Sequence, residues 1–443
     1  MADGGLALPA GFLLGCASAA HQVEGGTDND WSEWARQPGR IRDGSDAAVA
    51  CDHWHRYPED LQVLASLGQN AHRFSLEWSR IEPRPGDFDE AALAHYADVV
   101  ACCRDLGMEP LVTLLHFTLP RWLTERGGVR APEAPARFAR YAAVCAERLG
   151  PSVEWWVTIN EPNVQALMGY LTGEWPPGKA SMPVAFAALR GLLRMHAGAA
   201  TALRAVAARH ERRARVSVAH HVRGLRPARP SSVMDRLACL PVDRLMNRWW
   251  PRACRSGRML PPVGRGEKVA GAAGSLDWLG LNYYCDDTVR FAPRRPSQLF
   301  AQRFPDPRRQ QSSFGWAIHA GGLTRVLHEL WDEFRLPIVV TENGVADEAD
   351  ELRGRFLVEH VTAVARAAAA GVDVRGYLHW TAMDNFEWAE GYTKRFGLFA
   401  VDRDTLQRRP KPSAAVFARI CAAGGVPADL LDAVPRLTSV ASG

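Results

Sequence analysis

Two glutamates at the ends of apolar runs carry the first chemical suggestion in this chain: Glu161 in VTINEPN and Glu342 in VVTENG. Two carboxylates facing each other across a pocket suit cleavage of a glycosidic bond. One protonates the leaving oxygen, and the other attacks the anomeric carbon or activates water. Neighbouring residue types suggest how the two would differ. Arg73, Asn282 and Tyr284 can reach a carboxylate at Glu342, and each favours its charged form. Glu161 has Asn160 and aromatic neighbours, and a negative Glu342 across the gap would help it keep a proton. The residues therefore suggest Glu161 as acid/base and Glu342 as nucleophile. Their separation, and with it retention or inversion, stays open at this level.

The elements that must position these groups recur along the chain. Eight short apolar runs end in polar residues: FLLGCASA (12–19), NAHRFSL (70–76), EPLVTLLH (109–116), EWWVTIN (154–160), RVSVAHH (215–221), LDWLGLN (276–282), PIVVTEN (337–343) and VRGYLHW (374–380). Helical stretches follow most of them. Residues 56–67 have helical apolar spacing and stop at Gly68; residues 89–106 start at an Asp cap and stop at Gly107. Long helices are expected over 184–210, 319–334 and 355–370. Continuous apolar strands alternating with helices read as a parallel sheet covered on both faces. Eight such units predict a closed (β/α)8 barrel, an α/β fold with extended loops at the C-terminal face. The chemistry of such a barrel sits at the C-terminal strand ends. Those ends carry Gln22, Arg73, His116, Asn160 with Glu161, His220 and His221, Asn282 with Tyr284, Glu342 and Trp380. Residues 222–275 have weak periodicity and read as an irregular excursion over the rim. The whole of 1–443 reads as one catalytic domain, with about 8–418 forming the barrel and the last twenty or so residues a loose tail.

Composition narrows the function classes. The chain has 443 residues, 47% hydrophobic and 23% charged, with a net charge of +4. Arg is scattered rather than blocked, which gives no footprint for nucleic acid. No apolar run has the length of a membrane span. Nine cysteines, an odd number without CxxC spacing, read as free thiols in a reducing compartment, so the expected location is cytoplasmic. Leu13-Leu14-Gly15-Cys16 has the look of a lipoprotein signal end. Residues 1–11 contain no Lys or Arg, however, and Pro9 and Gly11 interrupt the apolar run, so it reads as the first barrel strand. His53, His55, His220 and His221 lack the supporting carboxylate spacing of a metal site, and neither metal nor cofactor is expected.

Seven motifs together, FLLGCASAAHQVEGG, HRFSLEWSRIEPRPGDFD, LLHFTLPRWL, VTINEPN, GLNYY, VTENG and HWTAMDNFEWAEGYTKRFGLFAVD, resemble glycoside hydrolase family 1, the β-glucosidase family, over about residues 8–418. The resemblance implies a retaining double displacement on a (β/α)8 barrel, with TINEP carrying the acid/base to Glu161 and TENG the nucleophile to Glu342. It implies that Gln22 and His116 bind the C3 and C4 hydroxyls and Asn160 the C2 hydroxyl. Trp380 would form the floor under the sugar, and Glu387 with Trp388 would grip the C4 and C6 hydroxyls. A carboxylate at Glu387 would repel a 6-phosphate, so unphosphorylated glucosides, with galactosides or fucosides beside them, are the expected substrates. Phe117, Asn163, Trp175 and Phe396 fall toward the aglycone side, where Phe117 and Asn163 depart from the commonest family pattern. The expected partners are small β-glycosides or short oligosaccharides. Two alternatives share these residues: glycosyl transfer to alcohol acceptors, and a catalytically silent sugar-binding protein.

Overall fold

The computed structural model describes residues 4–295 and 298–433. Eight parallel strands close into a barrel: β1 (Leu13–Ala17), β2 (Ala71–Ser75), β3 (Glu109–Leu115), β4 (Trp155–Asn160), β5 (Arg215–His221), β6 (Leu279–Asn282), β7 (Ile338–Asn343) and β8 (Val374–Trp380). Each pairs with the next in sequence, and β8 returns to β1 through Tyr377 opposite Leu14 and His379 opposite Cys16. Almost every strand residue is buried, which explains runs that are continuous rather than alternating: helices cover the outer face and side chains fill the interior. Gly15 is required where β1 meets β2, because a Cβ there would lie 1.8 Å from the Ala71 carbonyl oxygen. Cys16, one residue on, is fully buried in the closing seam.

Each strand is followed by a helix: α1 (His53–Ser66), α2 (Glu90–Asp105), α3 (Ala134–Leu149), α4 (Met182–Arg209), α5 (Trp249–Ser256), α6 (Ala320–Phe334), α7 (Arg353–Ala369) and α8 (Pro412–Ala423). The expected Asp cap is present, with the Asp89 carboxylate accepting from the amides of Ala91 and Ala92 at 2.8 and 3.0 Å. Gly68 and Gly107 follow α1 and α2 with positive φ, the conformation that ends a helix cheaply only at glycine.

Two expectations are corrected. The stretch 222–275 is ordered. A strand at Gly224–Pro227 pairs with Asp286–Phe291, and a helix at Val233–Val242 runs through a π-helical turn into α5. The helix is short, contains Pro241, and exposes Val233, Met234, Leu237 and Leu240 while Asp235 is buried. The loose tail also begins later than expected. Gly425–Val426 pairs with Leu6–Ala7, and a helix follows over Ala428–Ala433. The remainder of the predicted tail lies outside the described residues. Among the described residues no helix is long and apolar enough to cross a membrane.

Candidate active site

The strand register gathers the polar ends at one rim. Asn282 on β6 stands opposite both His221 on β5 and Glu342 on β7. Glu161, just past β4, has a positive φ of 43°, a conformation a non-glycine residue adopts only when its surroundings hold it there. Its amide donates to the Ala219 carbonyl at 2.7 Å, which helps fix that turn and points the carboxylate inward. Phe117 and Trp388 have positive φ as well, at 69° and 51°. All three line the cavity, where the backbone leaves a regular element to present the side chain.

The cavity above the barrel measures about 440 Å³ and is lined by both carboxylates, His116, Asn160, Trp380, Glu387 and Trp388, among others. That volume suits a sugar with a small aglycone. At its base, fully buried Arg73 donates from Nη1 to Glu342 Oε1 at 2.6 Å and from Nη2 to Asn160 Oδ1 at 2.8 Å. Tyr284 donates its hydroxyl to Glu342 Oε2 at 2.7 Å. The expectation for Asn282 is corrected. Its amide does not meet Glu342 but donates to Glu161 Oε1 at 2.8 Å and Asn160 Oδ1 at 3.1 Å. Thr341 fixes it in that pose, donating to Asn282 Oδ1 at 2.7 Å. Arg73, Asn160 and Asn282 therefore bridge the two carboxylates.

His221 is the partner that residue types alone do not reveal as such. Its Nδ1 lies 3.1 Å from Glu161 Oε1, and Arg223 Nε donates to its Nε2 at 3.4 Å. With Nε2 accepting, the ring proton sits on Nδ1 and is offered to Glu161. The HH pair at the end of β5 is visible in the sequence as a polar strand end, but nothing in the spacing ties it to Glu161. His220 turns away and meets the Asn247 carbonyl.

The charge balance of the pair depends on that imidazole. Burial raises Glu161, but a charged His221 and its hydrogen bond would outweigh burial and draw the carboxyl below its usual range. In that state burial and the facing Glu161 charge, opposed by Arg73, push Glu342 up to about 7. Geometry separates the two: Glu342 holds the fixed cation Arg73, whereas Glu161 faces the His221 imidazole and the Asn282 amide. Glu387 is a third buried carboxyl on the same cavity, pushed up to about 8 by burial and by the charge of Glu342.

Several polar atoms here have no protein partner. Asn160 Nδ2 donates to His116 Nε2 at 3.0 Å, which leaves the buried His116 Nδ1 unpaired beside the cavity. Gln22 lies on a short helical turn after β1 and is not itself a lining residue. Its amide nitrogen donates to the Phe386 carbonyl at 2.8 Å and to Glu387 Oε2 at 3.2 Å, leaving Oε1 unpaired. Unpaired buried donors and acceptors are costly, and a polyhydroxylated ligand supplies what they lack. Trp380 and Trp388 bracket His116, with ring centroids 5.8 and 5.9 Å away.

The four residues expected on the aglycone side separate. Phe117 and Trp175 pack on Trp388 at 5.2 and 5.9 Å. Phe396 packs across from them on Tyr284 at 6.1 Å and Phe314 at 6.0 Å. Asn163 is a fastener: its amide donates to the carbonyls of His221 and Met246 at 2.8 and 2.9 Å, tying the 222–275 excursion to β5. Lys394 donates to the Ser313 carbonyl at 2.7 Å. Among the described residues no cluster of three or more His, Cys, Asp or Glu side chains could hold a metal.

A parallel eight-stranded barrel with two bridged carboxylates and unpaired polar groups at its C-terminal rim defines the (β/α)8 glycoside hydrolase class. The model of Glycosyl hydrolase family 1 matches residues 6–426, and the chain belongs to that family. Beta-glucosidase A of Thermotoga maritima is 31% identical over 94% of this chain and 98% of its own length. The coniferin beta-glucosidase of Pinus contorta is 33% identical over 92% and 91%. Among solved structures, the Thermotoga maritima beta-glucosidase in complex with glucoimidazole superposes with a TM-score of 0.89 at 30% identity, covering 95% of this chain and all of that one. A beta-glycosidase from Pyrococcus horikoshii superposes with a TM-score of 0.89 at 34% identity, covering 98% of this chain and all of that one.

Proposed function

We propose that this glycoside hydrolase removes terminal β-D-glucosyl residues, with β-galactosyl and β-fucosyl residues as secondary substrates, and retains the anomeric configuration. The observation that carries the reading is the asymmetric setting of the two carboxylates: Arg73 and Tyr284 on Glu342, Asn282 and the His221 imidazole on Glu161. The names of the relatives, beta-glucosidases, support it.

In the first step a Glu342 oxygen bonds to the anomeric carbon while the glycosidic C–O bond breaks. The leaving oxygen takes the Glu161 proton. In the second, water attacks the anomeric carbon, gives its proton to the Glu161 carboxylate, and the ester bond to Glu342 breaks. Arg73 holds Glu342 ionised and aimed between turnovers. Asn160 uses both oxygen lone pairs on Arg73 and Asn282 and one amide proton on His116, so a single N–H is left for the C2 hydroxyl, where contacts strengthen toward the transition state. His116 Nδ1, Gln22 and Glu387 take the remaining ring hydroxyls above Trp380. The glucosyl-enzyme also reacts with alcohols, and the apolar outer wall favours an acceptor with an apolar body; product analysis with added alcohol measures that partition.

The barrel serves as one catalytic domain, and its nine unbridged cysteines suit the cytoplasm. The test is hydrolysis of 4-nitrophenyl β-D-glucoside followed by NMR. The reading expects β-glucose as the first product; α-glucose, or no turnover across gluco, galacto and fuco substrates, would overturn it.

A further inference from the structure

The position of Glu161 shows which way is out. A group that protonates the glycosidic oxygen sits on the leaving side of the sugar. The wall that continues from Glu161 away from Trp380 and Glu387 therefore lines the aglycone. From Glu161 the contacts run outward through His221 at 3.1 Å, Arg223 at 3.4 Å, Asp287 at 2.9 Å and Arg303 at 3.7 Å. Arg223 is committed: it bonds His221 and Asp287, and its guanidinium lies 5.4 Å from the Trp316 ring centroid. Arg303 lines the same cavity at its mouth with its side chain 36% exposed, and among the described residues its one ion pair is the long one to Asp287.

Two guanidinium groups thus share one carboxylate, which leaves Arg303 without a close counter-ion among the described residues. The body of the site is apolar, with Leu167, Met168, Leu225 and Met246 in its lining. Trp316 adds an aromatic ring to the lining, with Phe314 stacked on it at 4.4 Å between centroids. The acids near the mouth do not cancel Arg303. Glu390 is paired with Arg42 at 2.9 Å, and Glu174 belongs to the Trp175 loop on the Trp388 side.

We propose that the outer site takes a flat, apolar aglycone bearing a carboxylate at the end remote from the glycosidic oxygen, bound by Arg303. The substrate class is the β-glucoside of an aromatic acid. A planar carboxylate matches the planar guanidinium fork, and an aromatic ring lies along Trp316. This rests on the hydrolase reading above and adds the leaving group to it.

The experiment compares kcat/KM for 4-carboxyphenyl β-D-glucoside and its methyl ester, in the unaltered protein and in Arg303→Gln and Arg303→Lys variants. The acid-to-ester ratio should fall ~2- to 5-fold in Arg303→Gln, the range expected for a partly exposed charge pair, and recover in part in Arg303→Lys. The same ratio should fall in the unaltered protein as salt is raised, because screening acts only on the charged substrate. A ratio that neither Arg303 variant moves, including a uniform loss on both substrates, overturns the inference while leaving the hydrolase intact. Absence of turnover on every β-glucoside overturns the hydrolase reading, and the inference with it.

Discussion

In the inner half of the cavity each polar group comes from a strand end or the turn beside it and is held by another. Arg73 spans from Glu342 to Asn160, Asn282 from Asn160 to Glu161, and Gln22 braces Glu387. In the outer half the walls come from the segment after β4, the 222–275 excursion and the chain after β6, their side chains are largely apolar, and the charged groups, Arg223, Arg303, Glu174 and Glu390, come from loops. The inner half is fixed because a barrel register dictates it. The outer half is free to vary because no barrel strand depends on it, and it recognises whatever the sugar is attached to.

Mutations can break this contrast in order of size. Glu342→Gly should lower turnover of aryl β-glucosides by ~10⁴-fold or more, and azide should restore cleavage with the anomer inverted. Undiminished activity would sink the assignment of the nucleophile. Glu161→Ala should cost ~10²–10⁴-fold on cellobiose and much less on 4-nitrophenyl glucoside, whose leaving group needs little protonation; equal losses on the two would count against the acid role. Glu387→Gln should raise KM for glucosides by ~10-fold, through loss of a hydroxyl contact in a dry site, and narrow the gap between glucoside and galactoside. An unchanged KM for both would remove Glu387 from the glycone site.

The smallest kinetic effect expected is at the seam between the two halves. His221→Asn should shift the alkaline limb of the kcat/KM profile by less than ~1 pH unit, while a good leaving group masks the change in rate. A profile identical to that of the unaltered protein would make His221 a packing residue only.

Stability against pH tests the buried titratable groups of the whole barrel, Glu387 of the inner half among them. Burial pushes Asp30 and Glu387 up to about 8 and Glu24 to about 7, so the folded chain keeps protons that the unfolded chain has already lost. Stability from these groups is lost as pH rises toward 8. Burial holds His72, His196, His360 and His379 down to about 3, so the unfolded chain takes up protons below about 6.5 that the folded chain refuses. The two sets oppose each other between about pH 4.5 and 6.5, where Tm should vary little. Above pH 6.5 only the carboxyls act, and Tm should drop by ~2–5 °C by pH 8. A Tm that rises over that interval in calorimetry would contradict these protonation states.

Much of the inner half is legible in the amino-acid order. Glu161 and Glu342 stand at the ends of continuous apolar runs, where a parallel strand buried on both faces most readily shows a charge. The eight-fold recurrence of such runs implies closure, and closure brings their ends to one rim. Gly15 and the Asp89 cap are local requirements of backbone and helix, and local requirements are written in adjacent residues.

Partners are another matter. Asn282 is expected on Glu342 and lies on Glu161, because stagger between β6 and β7 decides which side chain an amide meets, and one residue of register reverses the answer. His221 shows in the sequence as a strand end but not as the neighbour of the acid/base. The helix Val233–Val242 is hidden because it is short and carries Pro241, a residue that ordinarily ends a helix. The sequence alone determined the barrel, the rim and the two carboxylates, since burial and strand period are properties of neighbours along the chain. The placing of Arg73 on Glu342 was also within reach of the sequence, but the partners of Asn282 and His221 and the arginine at the cavity mouth were decided only by the tertiary structure. The physical reason is range: a hydrogen bond acts over about 3 Å, and Asn282 and Glu161, joined at 2.8 Å, stand on β6 and just past β4, far apart along the chain.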